Sequence, residues 1–324
     1  MIESRVRRGR ARRLRRWAWR MGTVFLAAGL VAAVAALSLG RHISPRPAAA
    51  DTSPADVIEF HSAHGASFLP ALEGRRPIFI LALGSDARPG ESIERQRSDS
   101  IHVIGINPAL HRATILGFPR DCWVPIPGFG TSKINTAMAD GGPSLTVRTI
   151  ENLTGIRIDF WMLTSFQGLT NLVNGIGGLT VRVLQPMHDG FSGSNFKPGV
   201  RHFSGSQALA FARDRHSFTQ GDLARSANQG RLFLAALSGL HSVFARDPAQ
   251  ILRWLMVGWR NIHTDLSVRT LLDLALTATK IPLNHVNNLV VPATTGTVGS
   301  ASVVFIRPSA SGIYADMRAD GVVR

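Results

Sequence analysis

The sequence predicts a single α/β (α+β) domain: a central mixed, partly antiparallel sheet flanked by helices, preceded by one transmembrane helix. Four observations predict it. Short apolar runs rich in Ile and Val interleave with helical patterns along most of the chain, as they do when strands and helices alternate in one domain. Ile78–Leu83, Ile101–Ile106 and Ala113–Phe118 are almost continuously apolar, the mark of strands covered on both faces. Asn107-Pro108 stands between the second and third runs and reads as a tight turn, which makes them a hairpin and the sheet partly antiparallel. Met21–Leu39 carries no charge; at about 1.5 Å per residue it just crosses a hydrocarbon core of about 30 Å.

Charge is unevenly spread. Of 36 basic and 21 acidic residues in the 324-residue chain, nine arginines and one acid fall in residues 1–20, so more than half of the +15 excess is an N-terminal tail. Such an arm alone suits nucleic acid. Here it runs straight into the apolar segment, with Trp17 and Trp19 at the border, and reads as a positive-inside signal. The expected order is a basic cytoplasmic tail (1–20), a signal anchor (21–39), a Pro- and Ala-rich linker (40–76), a folded domain (77–310) outside the membrane and a C-terminal tail (311–324). No nucleic-acid partner is expected, since the body would lie across the membrane from DNA. Ala48-Ala49-Ala50 resembles a cleavage site but lies well past the apolar run. The single cysteine, Cys122, excludes an intrachain disulfide and gives no metal cluster.

After the hairpin, Pro125–Gly130 reads as a turn-rich loop. Ser144–Leu153 has helical spacing and Gly155 to end it. Ile158–Thr164 is a strand. Ser165–Val173 is a helix with Ser165 as N-cap. Leu179–Leu184 alternates as a strand. His188–Gly199 is polar and glycine-rich, hence a surface loop. Ser204–Ala212 and Asp222–Leu240 are helices capped by Ser204 and Asp222. Pro248–Val257 and Ser267–Thr279 are two more, and Leu289–Pro292 and Ser302–Ile306 are late strands.

The polar residues at the strand ends suggest chemistry. Asp86 and Asp99 flank a loop, and two carboxylates brought together there suit a hard cation such as Mg2+; ordinary turn chemistry is the competing reading. Arg97 and Arg120 offer planar paired donors for phosphate, or are solvated surface charges. Asp121 follows Arg120 and would orient an arginine or act as a base, or form a local salt bridge. If Arg213-Asp214-Arg215 is extended, both arginines share a face and make a pyrophosphate clamp. Arg225 and Gln229 are four apart on one helix and share a face. Lys133 and Asn135 are weak signals. His188, His202 and His216 lack metal-ligand spacing. P-loop, Rossmann and G-x-S-x-G patterns are absent.

The ordered series LGSD, RSDS, INP, ATILGFPRD, PIPGFG, KIN, ENLTGI, ALAFARDRH and GDLAR, over about residues 78–240, resembles the LytR-CpsA-Psr family of cell-envelope proteins. The resemblance implies a phosphotransferase on the outer face of the membrane. It would move a glycopolymer from a polyprenyl-pyrophosphate carrier to a peptidoglycan hydroxyl. It implies Mg2+ at Asp86 and Asp99; pyrophosphate binding by Arg97, Arg120, Arg213, Arg215, Arg225 and Gln229; and a catalytic group of Arg120, Asp121 and Asp99, with the base either Asp99 or Asp121. It also implies an apolar tunnel for the polyprenyl tail, for which Ser144–Leu153, Ser165–Val173 and Asp222–Leu240 are the candidate helices. Ala227 and Asn228 depart from the family pattern, where a basic residue and Gln are common. The alternative from another class is a non-catalytic polyprenyl-pyrophosphate-binding scaffold or regulator of the envelope.

Overall fold

The computed structural model describes residues 76–324. The basic tail, the apolar segment 21–39 and nearly all of the expected linker lie outside the described residues. Among the described residues, no helix is long and apolar enough to cross a membrane.

Three apolar runs become the centre of the sheet. They are β1 (Ile78–Ser85), β2 (Ser98–Asn107) and β3 (Arg112–Gly117). β1 pairs antiparallel with β2, Ile78 opposite Ile106 and Leu83 opposite Ile101, and β2 pairs antiparallel with β3, so the expected hairpin is present. The next elements are β4 (Trp123–Ile126), β5 (Gly130–Lys133), α1 (Thr136–Thr154), β6 (Phe160–Ser165), α2 (Phe166–Gly175) and β7 (Leu179–Val183). There follow β8 (Met187–Asp189), β9 (Ser194–Phe196), β10 (Gly199–Phe203), α3 (Gly205–Arg213), α4 (Gly221–Arg246) and α5 (Gln250–Asn261). The chain ends with β11 (His263–Thr264), α6 (Val268–Ala278), β12 (Val286–Val290), β13 (Ala293–Val298), β14 (Ala301–Ile306) and α7 (Ala310–Asp320). The main sheet runs β11-β6-β1-β2-β3-β12, with β6 parallel to β1 and β12 parallel to β3. It is mixed, as expected of an α+β domain.

This topology determines where the polar strand ends go. β1 and β3 run one way and β2 the other, so the end of β1, the start of β2 and the end of β3 share one edge of the sheet. Asp86, Asp99 and Arg120 sit on those three ends.

Period-two alternation divides the core. Leu81, Leu83, Ile101, Val103, Leu116 and Phe118 pack on one face with Leu145 and Ile150 of α1. Ile78, Ile80, Ile106 and Ala113 pack on the other with Leu266, Leu274 and Ile281. Each such side chain contributes about 1.5–3 kcal/mol when fully buried. A third cluster joins Val181, Phe203, Phe211 and Leu232. α4 lies against β2, β3 and β12 because Gly117 and Gly230 leave room: a Cβ at Gly117 would collide with Ser226 Oγ, and one at Gly230 with Asn288 Oδ1.

Several local expectations hold. Ser165 caps α2 by accepting from Gly168 N, Ser204 caps α3 in a capping box with Gln207, and Gly155 closes α1 at φ 67°. Others need correction. The turn expected in Pro125–Gly130 is narrower, residues 127–129, and its flanks are strand ends of the β4–β5 hairpin. His188–Gly199 holds the β8–β9 hairpin. α1 begins at Thr136 and kinks at Gly141-Gly142 before Pro143, so the apolar spacing revealed only its second part. Asp222 lies inside the first turn of α4 rather than capping it. Residues 311–324 are no tail: α7 puts Tyr314 and Met317 into the main core, and Val322 is buried behind them.

Candidate active site

The sheet edge and α3–α4 enclose a cavity of about 220 Å3 lined by Asp99, Arg120, Asp189, Phe191, Ser192, Arg213, Arg215, His216 and Arg225. Five of these were candidates from sequence, and they come from segments over a hundred positions apart.

Asp99 accepts from Arg120 Nη1 at 2.5 Å. Burial alone would lower the pKa of Arg120; the charge of Asp99 and its hydrogen bond reverse that and raise it. α3 ends at Arg213, and Asp214 turns extended (φ −64°, ψ 124°). Asp214 is buried and accepts from Ser194 Oγ at 2.5 Å and Ser217 Oγ at 2.8 Å. Its two arginine neighbours are thereby left on the cavity side. Arg213 also stacks over Phe166, 4.9 Å from the ring centroid. Arg225 is buried and pairs with Asp222 at 2.7 Å. Burial lowers its pKa while Asp222 opposes the shift.

Three other candidates fall around the cavity rather than on it. Asp86 has a raised pKa, caused first by burial and then by the neighbouring Asp99 charge, against Arg120 and Arg97. Its Oδ1 is buried without a hydrogen-bond partner. Arg97 is exposed and acts on Asp86 rather than lining the cavity. Gln229, expected to add donors to an anion, gives its amide nitrogen to two backbone carbonyls, Asp99 O and Ala212 O, each at 3.1 Å. An amide nitrogen has only two hydrogens, so Gln229 ties β2 to the end of α3. Here the helical spacing gave the right face but not the partner.

Asp121 lies behind Arg120. Lys133 Nζ is 3.2 Å from its Oδ1, and a hydrogen bond joins it to Asp222. Burial disfavours both charges. Asp222 is raised by burial despite Arg225, whereas the bonds from Asp222 and Lys133 outweigh burial and lower Asp121. Asp222 is thus the more basic carboxyl of the pair.

Sequence reasoning missed Asp189, Phe191, Ser192 and the part played by His216. Asp189 is buried and accepts from His216 Nδ1 at 3.0 Å. Burial works against its charge, but the bonds from His216 and from the amides of Phe191 and Arg215 bring its pKa down to about 2. The only signal was His216 next to Arg215, and nothing in the spacing tied it to Asp189.

A second cavity of about 530 Å3 adjoins the same segments, lined by residues including Met187, Leu223, Ala227, Asn228, Arg231 and Arg307. Both positions that depart from the family pattern, Ala227 and Asn228, line it. α1 and α2 line neither cavity; Leu145 and Ile150 of α1 are taken up by the core.

Residues 48–313 match the LytR_cpsA_psr family. The chain belongs to that family. Relatives include the probable cell wall biosynthesis protein LcpB of Corynebacterium glutamicum, 37% identical over 49% of this chain and 41% of LcpB. Another is the polyisoprenyl-teichoic acid–peptidoglycan teichoic acid transferase TagU of Oceanobacillus iheyensis, 34% identical over 58% of this chain and 59% of TagU. The chain thus spans about half the length of the curated relatives it matches. Among solved structures, B. subtilis TagV is 26% identical and superposes over 75% of this chain and 96% of its own with a TM-score of 0.65. The LytR_cpsA_psr match covers every strand and helix of the cavity walls.

Proposed function

We propose that the protein transfers a glycopolymer from a polyprenyl-pyrophosphate carrier to peptidoglycan, on the outer face of a membrane that its residues 21–39 span. One observation carries the reading: four arginines, Arg120, Arg213, Arg215 and Arg225, converge with Asp99 on one cavity. Phosphoryl transfer depends on positioning and charge neutralisation more than on covalent help, and forked guanidiniums suit a diphosphate. TagU, named as a transferase between polyisoprenyl-teichoic acid and peptidoglycan, supports the same class of donor and acceptor.

In this reading the arginines grip the two phosphates and hold the sugar-proximal phosphorus toward an acceptor hydroxyl. Asp99 fixes Arg120, Asp222 fixes Arg225, and Asp121 with Lys133 braces the turn behind them. Asp86 and Asp99 are the residues that would hold Mg2+: Asp86 Oδ1 is buried without a hydrogen-bond partner and the two carboxylates oppose each other's charge, a donor set that suits a hard cation. Among the described residues no group of three or more His, Cys, Asp or Glu forms a closed metal site, so phosphate oxygens and water would complete the shell. Bound there, the ion would neutralise charge on the diphosphate.

The test uses the full chain in detergent with a polyprenyl-pyrophosphate glycan, Mg2+ and peptidoglycan fragments. Polyprenyl phosphate release is expected, lowered about 100-fold or more in Arg120→Ala and abolished by chelation. Equal release in Arg120→Ala and Asp99→Ala would remove the site assignment. Donor binding without release would favour the scaffold reading.

A further inference from the structure

The proposed transfer needs a base for the acceptor hydroxyl, and both carboxylates considered from sequence are otherwise engaged. Asp99 is locked to Arg120 at 2.5 Å. Asp121 is held by Lys133 at 3.2 Å and by Asp222, and does not line the cavity.

His216 does line it. Its Nδ1 lies 3.0 Å from Asp189 Oδ2. An ionised carboxylate only accepts, so Nδ1 carries the hydrogen, and in the neutral imidazole the lone pair is then on Nε2. Among the described residues Nε2 has no partner. The Asp189 side chain is 2% exposed and that of His216 is 44% exposed, so the orienting group is fixed while the imidazole faces the cavity. Phe191 packs on the ring at 5.0 Å between centroids. Asp189 is itself positioned by the amides of Phe191 and Arg215, so the loop that delivers the clamp residue Arg215 also aims the imidazole. A base within reach of substrate and oriented by a third group is the arrangement that acid–base catalysis requires.

Resting on the transferase reading, we propose that His216 is the general base of the transfer and that Asp189 is its positioning residue. His216 Nε2 takes the proton of the acceptor hydroxyl as that oxygen bonds to the sugar-proximal phosphorus. The bond from this phosphorus to the bridging oxygen breaks. Its electron pair leaves with polyprenyl phosphate, and the proton on His216 passes to solvent. The charged groups facing the imidazole are Arg120, Arg213, Arg215 and Arg225, which disfavour its protonation, and Asp189 and Asp99, which favour it.

The experiment compares the full chain with its His216→Ala and Asp189→Asn variants, measuring transfer from a polyprenyl-pyrophosphate glycan against pH, with donor affinity measured separately. For His216→Ala, kcat is expected to fall about 100-fold, donor affinity to hold, the acid limb of kcat to disappear, and added imidazole to restore turnover. Asp189→Asn should lower kcat while keeping a displaced acid limb. An unchanged rate and pH profile in His216→Ala, or a loss that imidazole leaves unrepaired, overturns the proposal while the transferase reading stands. Absence of transfer by the unaltered chain removes both. Because His216 is partly exposed, its truncation should leave the fold intact; a matching thermal midpoint checks this.

Discussion

At the scale of single residues, the site is a set of charges whose partners decide their states. Asp222 gives the sharpest case. Burial raises its pKa against the Arg225 charge, and its bond to Asp121 adds to the rise, which favours the acid form that donates to Asp121. Asp222→Asn keeps a donor and should shift stability by less than about 1 kcal/mol. Asp222→Ala strips Asp121 of that donor and should cost about 1–3 kcal/mol. Denaturant midpoints distinguish the two, and equal losses would mean that Asp222 is charged and serves Arg225 instead. His102 behaves differently. It is fully buried, its Nε2 gives to Ser226 O at 3.1 Å and its Nδ1 takes from Ser100 Oγ. Burial lowers its pKa to about 4, with the Ser226 bond opposing. The unfolded chain binds the proton near pH 6.5, so stability is full above that value and is lost as pH falls through the interval down to about 4, by roughly 3 kcal/mol in all. Asp265, raised by burial to about 6, changes stability in the opposite sense but is common to both proteins. Unfolding of His102→Gln should therefore show a shallower acid slope than the parent between pH 6.5 and 4; parallel slopes would mean that His102 stays protonated in the fold.

At the scale of elements, legibility followed local signals. Ser165, Ser204 and Gly155 marked their helix ends because capping and left-handed termination are local chemistry. The three central strands were legible because both faces are buried. β8, β9, β13 and α7 were not. β8 and β9 lie in a polar, glycine-rich stretch with no apolar run, and α7 exposes most of its surface while burying only Ala310, Tyr314 and Met317. Its burial comes from contact with the sheet, not from its own pattern. Ending the chain after residue 309 removes Tyr314, Met317 and Val322 from the core. At about 2–5 kcal/mol for each large buried side chain lost, such a chain should not fold cooperatively, and loss of a sigmoidal thermal transition would register it. Gly117→Ala acts on the other side of the sheet. It should push α4 away from β3 and cost about 1–3 kcal/mol, with transfer activity falling further than stability because Arg225 rides on α4.

At the scale of the whole molecule, the charge asymmetry sets the arrangement. The Arg-rich tail and apolar segment before the domain give an expected single-pass topology with the N-terminus in the cytoplasm. A reporter fused at residue 50 should be active only outside the membrane; cytoplasmic activity would exclude the extracytoplasmic transferase. The sequence by itself determined the three central strands, the helix ends at Ser165, Ser204 and Gly155, the basic tail and the residue types of the site, because periodicity, capping and charge are written locally. Only the tertiary structure decided what those residues meet. The antiparallel β2 between β1 and β3 brings Asp86, Asp99 and Arg120 to one edge, and α3–α4 fold back to bring in Arg213, Arg215 and Arg225. Gln229 became a backbone tie, Asp121 a bracing group and His216 a cavity base, since each depends on a partner more than a dozen positions away. Spacing along the chain cannot supply that distance in space.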